Sequence, residues 1–113
     1  MDPDISTIDG VVIITLPRRL DSENAPAIET ELKEIVEQHP DSVLFDLSKT
    51  GYIASAGLRV LLSTTRSIMK AGGAVALSSL TPQVRQVFEI AGFTKIFTIC
   101  NSRDEALHLL RKK

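Results

Sequence analysis

Few side chains in this chain of 113 residues have a type and spacing that could do chemistry. His39 stands beside a helix-ending proline and His108 lies in a C-terminal helical stretch. Their separation suits neither a metal site nor a nucleophile–base–acid triad, so both read as surface histidines. Gly72-Gly73 is not followed by Lys-Ser or Lys-Thr, so no phosphate-cradling loop is present, and a helix stop accounts for the pair. Asp21 and Asp46 fall near strand ends and could approach one another. Two carboxylates without a metal, a neighbouring base or an apolar cleft are nonetheless a poor basis for acid–base work. There remains Ser55, which follows a strand and a polar turn and opens an amphipathic helix. A hydroxyl there sits near unpaired backbone N–H groups and the positive end of a helix dipole, where the fold tolerates a phosphate. As a plain N-cap the same hydroxyl would be worth about 1 kcal/mol. These residues predict a switch rather than a reaction, with no enzymatic turnover and no cofactor.

The elements that must position Ser55 follow from hydrophobic spacing. Asp9-Gly10 between Ile5–Ile8 and the β-branched run Val11–Leu16 predicts an antiparallel hairpin. Asp21-Ser22-Glu23-Asn24 offers N-caps for a helix bearing Ala25, Ile28, Leu32, Ile35 and Val36 on one face, with Pro26 in its first turn and Pro40 ending it. Val43–Leu47 predicts a central strand. The helix after Ser55 carries Leu58, Leu61, Leu62, Thr65, Ile68 and Met69 on one stripe. Then come a strand over Ala74–Leu77 and a helix from Thr81-Pro82 with Val84, Val87, Phe88 and Ala91 inward, ended by Gly92. A last strand is expected over Ile96–Ile99. Ser102 and Glu105 form a capping box for a final helix ending in Arg111-Lys112-Lys113. The order β-β-α-β-α-β-α-β-α predicts one α/β domain over 1–113, a mostly parallel mixed sheet with an N-terminal antiparallel hairpin strand and about four helices packed on it.

Composition narrows the function. A formal net charge of -1 provides no field toward nucleic acid or an anionic membrane, and the chain has no Trp, one Tyr and four Phe to stack on bases. No apolar run reaches the roughly 20 residues of a membrane span, and Met1-Asp2-Pro3-Asp4 lacks the basic and apolar regions of an export signal. The single Cys100, at the end of an apolar strand, packs as a small hydrophobe and suits a reducing cytoplasm. A cytoplasmic protein with no membrane insertion and no nucleic-acid partner is expected.

Tyr52-Ile53-Ala54-Ser55-Ala56-Gly57-Leu58-Arg59-Val60-Leu61-Leu62, after Asp46-Leu47-Ser48 and before Thr81-Pro82-Gln83-Val84 and Gly92-Phe93, resembles the STAS family of anti-sigma factor antagonists. The likeness runs from about Ile5 to Arg111 and takes in Leu20-Asp21. It implies a bacterial regulator that binds an anti-sigma factor with serine kinase activity and so frees a sigma factor. Phosphorylation of Ser55 with ATP would dissociate the complex, and a PP2C-type phosphatase would restore it. The resemblance places the partner-binding surface on Leu20, Asp21, Ser48, Tyr52, Ile53, Ala54, Ala56, Gly57, Leu58 and Arg59. Two positions differ from the family's usual pattern: Ala54 stands where an acidic residue often precedes the serine, and Arg19 where a glycine often precedes Leu-Asp. The alternative is an unphosphorylated STAS subunit of a lipid-transport or stressosome-like assembly. Helical spacing also puts Arg59, Ser63, Arg66 and Lys70 on one exposed face, a basic stripe beside Ser55 or simply a solvated surface.

Overall fold

A five-stranded sheet carries the structure, and its strand order shows how a hairpin and three crossovers share one sheet. The computed structural model describes residues 3–111. Strands β1 (Asp4–Ile8) and β2 (Val11–Thr15) pair antiparallel with Ile5 opposite Ile14 and Ile8 opposite Val11. Asp9 and Gly10 close the hairpin with φ of 52° and 82°, the two positive values that a tight turn matched to strand twist requires. Beyond β2 lie β4 (Ser42–Asp46), β6 (Ala74–Ser78) and β7 (Ile99–Cys100), each parallel to its neighbour, in the order β1-β2-β4-β6-β7. All five residues of β4 are buried, as a central strand covered on both faces demands.

Four helices cover the sheet: α1 (Ala25–Glu37), α2 (Ser55–Lys70), α3 (Pro82–Ile90) and α4 (Arg103–Arg111). One core joins Ile14, Phe45 and Leu77 of the sheet to Ile28 and Leu32 of α1, Leu61 and Ile68 of α2 and Phe88 of α3. A second, on the opposite face, joins Ile13, Leu44, Ala76 and Cys100 to Ala106, Leu107 and Leu110 of α4. Each fully buried large side chain contributes about 1.5–3 kcal/mol.

Several expectations from spacing hold in detail. Thr81 caps α3, its hydroxyl accepting from the Val84 N–H at 3.4 Å. Ser102 accepts from the Glu105 N–H at 3.1 Å as the capping box expects, while the Glu105 carboxylate takes the Asn101 N–H at 2.6 Å, one residue ahead of the N-cap N–H that a full box would use. Gly92 ends α3 with φ of 76°. His39 and His108 are exposed, and Cys100 is buried at the end of β7.

Other expectations need correction. The strand expected over Ile96–Ile99 is confined to Ile99–Cys100, because Phe93 and Phe97 turn inward to pack on Phe88, with centroids 6.5 and 5.5 Å from it. That packing curls the chain into a turn in which the Ile96 and Phe97 N–H groups both donate to the Phe93 carbonyl. Met69 is 56% exposed and Ala91 is exposed, so neither belongs to the apolar stripe assigned to it. Lys112 and Lys113, expected to close α4, lie outside the described residues. A short parallel pair, β3 (Arg19–Leu20) with β5 (Tyr52–Ile53), forms a second sheet that two-residue runs could not announce.

Asp46 ties the central strand to the start of α4. It is 4% exposed, and its Oδ2 accepts from Nη2 of Arg103 at 2.7 Å and Nε at 3.2 Å. Burial pulls this carboxyl up, but the Ser48 N–H and the Arg103 guanidinium more than offset it and hold it below the usual carboxylate range. A depressed folded pKa adds stability that is present above the unfolded value and lost as pH falls through the folded one. Asp46→Asn is expected to lose about 1.5–3 kcal/mol at neutral pH. In denaturant titrations the gap to the parent should narrow as pH falls from about 5 toward 2.

Candidate functional site

The segment between β4 and α2 is strapped to the segment between β2 and α1 by main-chain bonds, and the straps fix where Ser55 emerges. The turn after β4 closes with Thr50 N–H donating to the Leu47 carbonyl at 3.0 Å, and Ser48 N–H donates to the Asp46 carboxylate at 2.9 Å. Thr50 is fully buried; its hydroxyl donates to the Pro17 carbonyl at 2.8 Å, and its own carbonyl accepts from the Thr81 hydroxyl at 3.1 Å. Gly51 and Tyr52 N–H groups donate to the Arg18 carbonyl, β5 runs parallel to β3, and Ala54 N–H donates to the Leu20 carbonyl at 2.8 Å. Three stretches remote in sequence, 17–20, 50–54 and Thr81, thus meet at one point.

Ala54, extended at φ -106° and ψ 174°, occupies the cap position of α2 and contributes no side-chain cap bond. Ser55 is the first helical residue and is exposed, which corrects the N-cap role that spacing allowed. The hydroxyl therefore has no capping duty, and the exposed first turn of α2 is free to change its charge without loss of a cap.

The residues singled out by resemblance divide by burial. Ser48, Tyr52, Ser55 and Arg59 are exposed, and Asp21, Ala54 and Ala56 are half-buried. Leu20, Ile53, Gly57 and Leu58 are buried and form the platform on which the others stand. Gly57 is there because nothing larger fits: a Cβ would lie 2.7 Å from Leu20 Cβ and 2.9 Å from the Leu20 carbonyl oxygen. That close approach lets β3 lie directly on the first turn of α2. Ala56 and Arg59 line a shallow groove between α1 and α2 with Ser22, Ala25, Pro26, Glu29 and Val60.

Arg19, Tyr52 and Asp21 make a small exposed cluster beside this turn. The Arg19 guanidinium lies 4.7 Å from the Tyr52 ring centroid and its Nε donates to Asp21 Oδ2 at 3.1 Å. Asp21 Oδ1 accepts the Glu23 and Asn24 N–H groups, and Asn24 answers by accepting the Asp21 N–H and donating to the Arg19 carbonyl. What burial Asp21 has pulls its carboxyl up, and the Asn24 N–H with the Arg19 guanidinium and Glu23 N–H outweighs it, leaving the group below its ordinary value. Asp21 and Asp46 are thus each committed to a separate arginine rather than to one another. The Thr50 bonds to Pro17 and Thr81 and the Arg19–Tyr52 stack carry no local sequence signal, because each acts across a loop or between elements.

Among the described residues no group of three His, Cys, Asp or Glu side chains could hold a metal ion. No described helix is long and apolar enough to cross a membrane. The geometry presents an exposed hydroxyl at the first turn of α2 over a buried platform.

Comparison with known proteins agrees with this architecture. The family model for the STAS domain matches residues 2–106, and the chain belongs to the STAS-domain family of anti-sigma factor antagonists. It is 42% identical over 99 residues to BtrV of Bordetella bronchiseptica, named as an anti-sigma factor antagonist, covering 88% of this chain and 85% of that protein. It is 29% identical over 101 residues to the anti-sigma-F factor antagonist RsfB of Mycobacterium tuberculosis, covering 88% and 80%. A crystal structure of an anti-sigma factor antagonist from Thermotoga maritima superimposes with a TM-score of 0.90 at 26% identity, covering 96% of this chain and 94% of that one.

Two substitutions check the platform. Thr50→Val keeps the shape but leaves the buried Pro17 carbonyl without its donor, and is expected to cost about 1–3 kcal/mol in chemical denaturation. Gly57→Ala gains helix propensity of up to about 1 kcal/mol but overpacks against Leu20 by about 1–3 kcal/mol. A net loss of stability, with amide shifts in Leu20 and Ile53 by NMR, is the expected outcome.

Proposed function

We propose that this chain antagonises an anti-sigma factor that is also a serine kinase, and that Ser55 is the residue the kinase modifies. With Ser55 bare, the surface of Asp21, Ser48, Tyr52, Ser55 and Arg59 docks on the anti-sigma factor and a sigma factor is released. The kinase then transfers the γ-phosphoryl group of ATP to Ser55 Oγ, leaving ADP, and a PP2C-type phosphatase hydrolyses the ester to inorganic phosphate. The setting is the bacterial cytoplasm. The observation that carries this reading is the exposed Ser55 at the first position of α2, relieved of capping by Ala54 and held in place by buried neighbours.

Magnitudes favour release without unfolding. A phosphate adds about -1.5 to -2 charges. Within the domain an anion at a helix start gains roughly 0.3–1 kcal/mol, whereas like charges or unpaired groups at an interface cost several. Each 1.4 kcal/mol is about tenfold in affinity, so the complex dissociates while the fold persists.

The test pairs Ser55→Ala with Ser55→Asp against the anti-sigma factor antagonised by the Bordetella relative, using calorimetry for binding and thermal melts for stability. Ser55→Ala should bind and resist regulation by ATP; Ser55→Asp should lose at least about tenfold in affinity. The two should melt within about 1 kcal/mol of each other, since the residue is a surface position with no cap role and an anion there gains only the helix-end contribution. Equal binding by both variants overturns the switch.

A further inference from the structure

We infer, on the reading of Ser55 as the modified residue, that Arg59 receives the phosphate, forming an ion pair one turn along α2 that neutralises the first cation of that helix's exposed face. Helix α2 contains Arg59, Arg66 and Lys70 and no acidic residue, and these three cations and Ser63 are exposed on the same side as Ser55. Among the described residues the ion pairs are Arg19–Asp21, Lys49–Asp4, Arg103–Asp46 and Arg111–Asp9; none uses a cation of α2. Arg59 is thus uncommitted, and a helical neighbour four residues on stands about 5–6 Å away between Cβ atoms, within easy span of a guanidinium and a phosphate ester.

The other cations are poorly placed for the same task. Arg66 lies eleven residues from Ser55, about 16 Å along the helix axis. Arg19 is already held by the Asp21 carboxylate and stacked on Tyr52. The acidic groups near the site are Glu29 of α1 and Asp21 and Glu23 ahead of it. Glu29 lines the groove that Arg59 lines without pairing with it within 4.0 Å, and Asp21 is tied to Arg19 and to backbone N–H groups. A dianion on the same helix outcompetes Glu29 for Arg59 because it brings more charge and several acceptor oxygens in a fixed i to i+4 relation.

The consequence for regulation is that phosphorylation removes a positive contact as well as adding a negative one. A partner surface that meets Arg59 when Ser55 is bare finds that cation occupied when Ser55 is modified.

The experiment installs phosphoserine at position 55 of the full chain during synthesis and follows its phosphorus resonance by NMR between pH 4 and 8. An opposite charge favours the dianion, so Arg59 should lower the second phosphate pKa from its usual value near 6. The parent should titrate about 0.5 unit below Arg59→Gln, roughly a threefold change in proton affinity. Arg59→Lys should keep most of the shift, and Arg66→Gln should match the parent. Coincident titrations of the parent and Arg59→Gln, or an equal effect of Arg66→Gln, would overturn the assignment. Since the phosphate is introduced by synthesis, a kinase that ignores Ser55 would defeat the proposed function and leave this titration result standing.

Discussion

The buried Thr50 side chain is the constraint on which the presentation of Ser55 depends. Its hydroxyl donates to the Pro17 carbonyl and its carbonyl accepts from Thr81, so one residue joins the exit of β2, the exit of β4 and the start of α3. Around it, main-chain bonds from Gly51, Tyr52 and Ala54 to Arg18 and Leu20 extend the join into a short parallel ribbon. A loop built this way has little freedom left when it reaches Ala54. The first turn of α2 therefore emerges at a fixed angle, and its exposed face is preorganised.

The platform and the hydroxyl have different duties, and the structure keeps them apart. Leu20, Ile53, Gly57 and Leu58 supply position through burial and close contact. Ser55, Tyr52 and Arg59 supply the surface. Charge added to the surface group does not propagate into the platform, because Ser55 makes no capping bond whose loss would loosen α2. The same division explains how Ala54 suffices at the cap position, which needs an extended backbone that Ala adopts and does not ask its side chain to cap.

Legibility in the sequence followed the range of the forces involved. The hairpin, the starts of α3 and α4 and the ends of α2 and α3 rest on local chemistry at Asp9-Gly10, Thr81-Pro82, Ser102 with Glu105, Gly72-Gly73 and Gly92, and these were legible. The alternation of strand and helix then fixed the class. What escaped was set by contacts between distant residues: the Phe88–Phe93–Phe97 cluster shortened β7, and the β3–β5 ribbon is two residues long on each side, below any periodic signal. Within the site, the position of Ser55 was legible to within one residue, cap against first turn. The Thr50 bond to Pro17 spans 33 residues and leaves no trace in either segment.

The second core, on the face away from Ser55, has a consequence of its own. Cys100 is the chain's single cysteine and lies under α4, where burial, aided by the Glu105 charge, raises its thiol above the ordinary value. Only the thiolate reacts with alkylating reagents. The thiol is therefore slow to react while α4 covers it, so the rate of cysteine labelling would report how often that face of the sheet is uncovered.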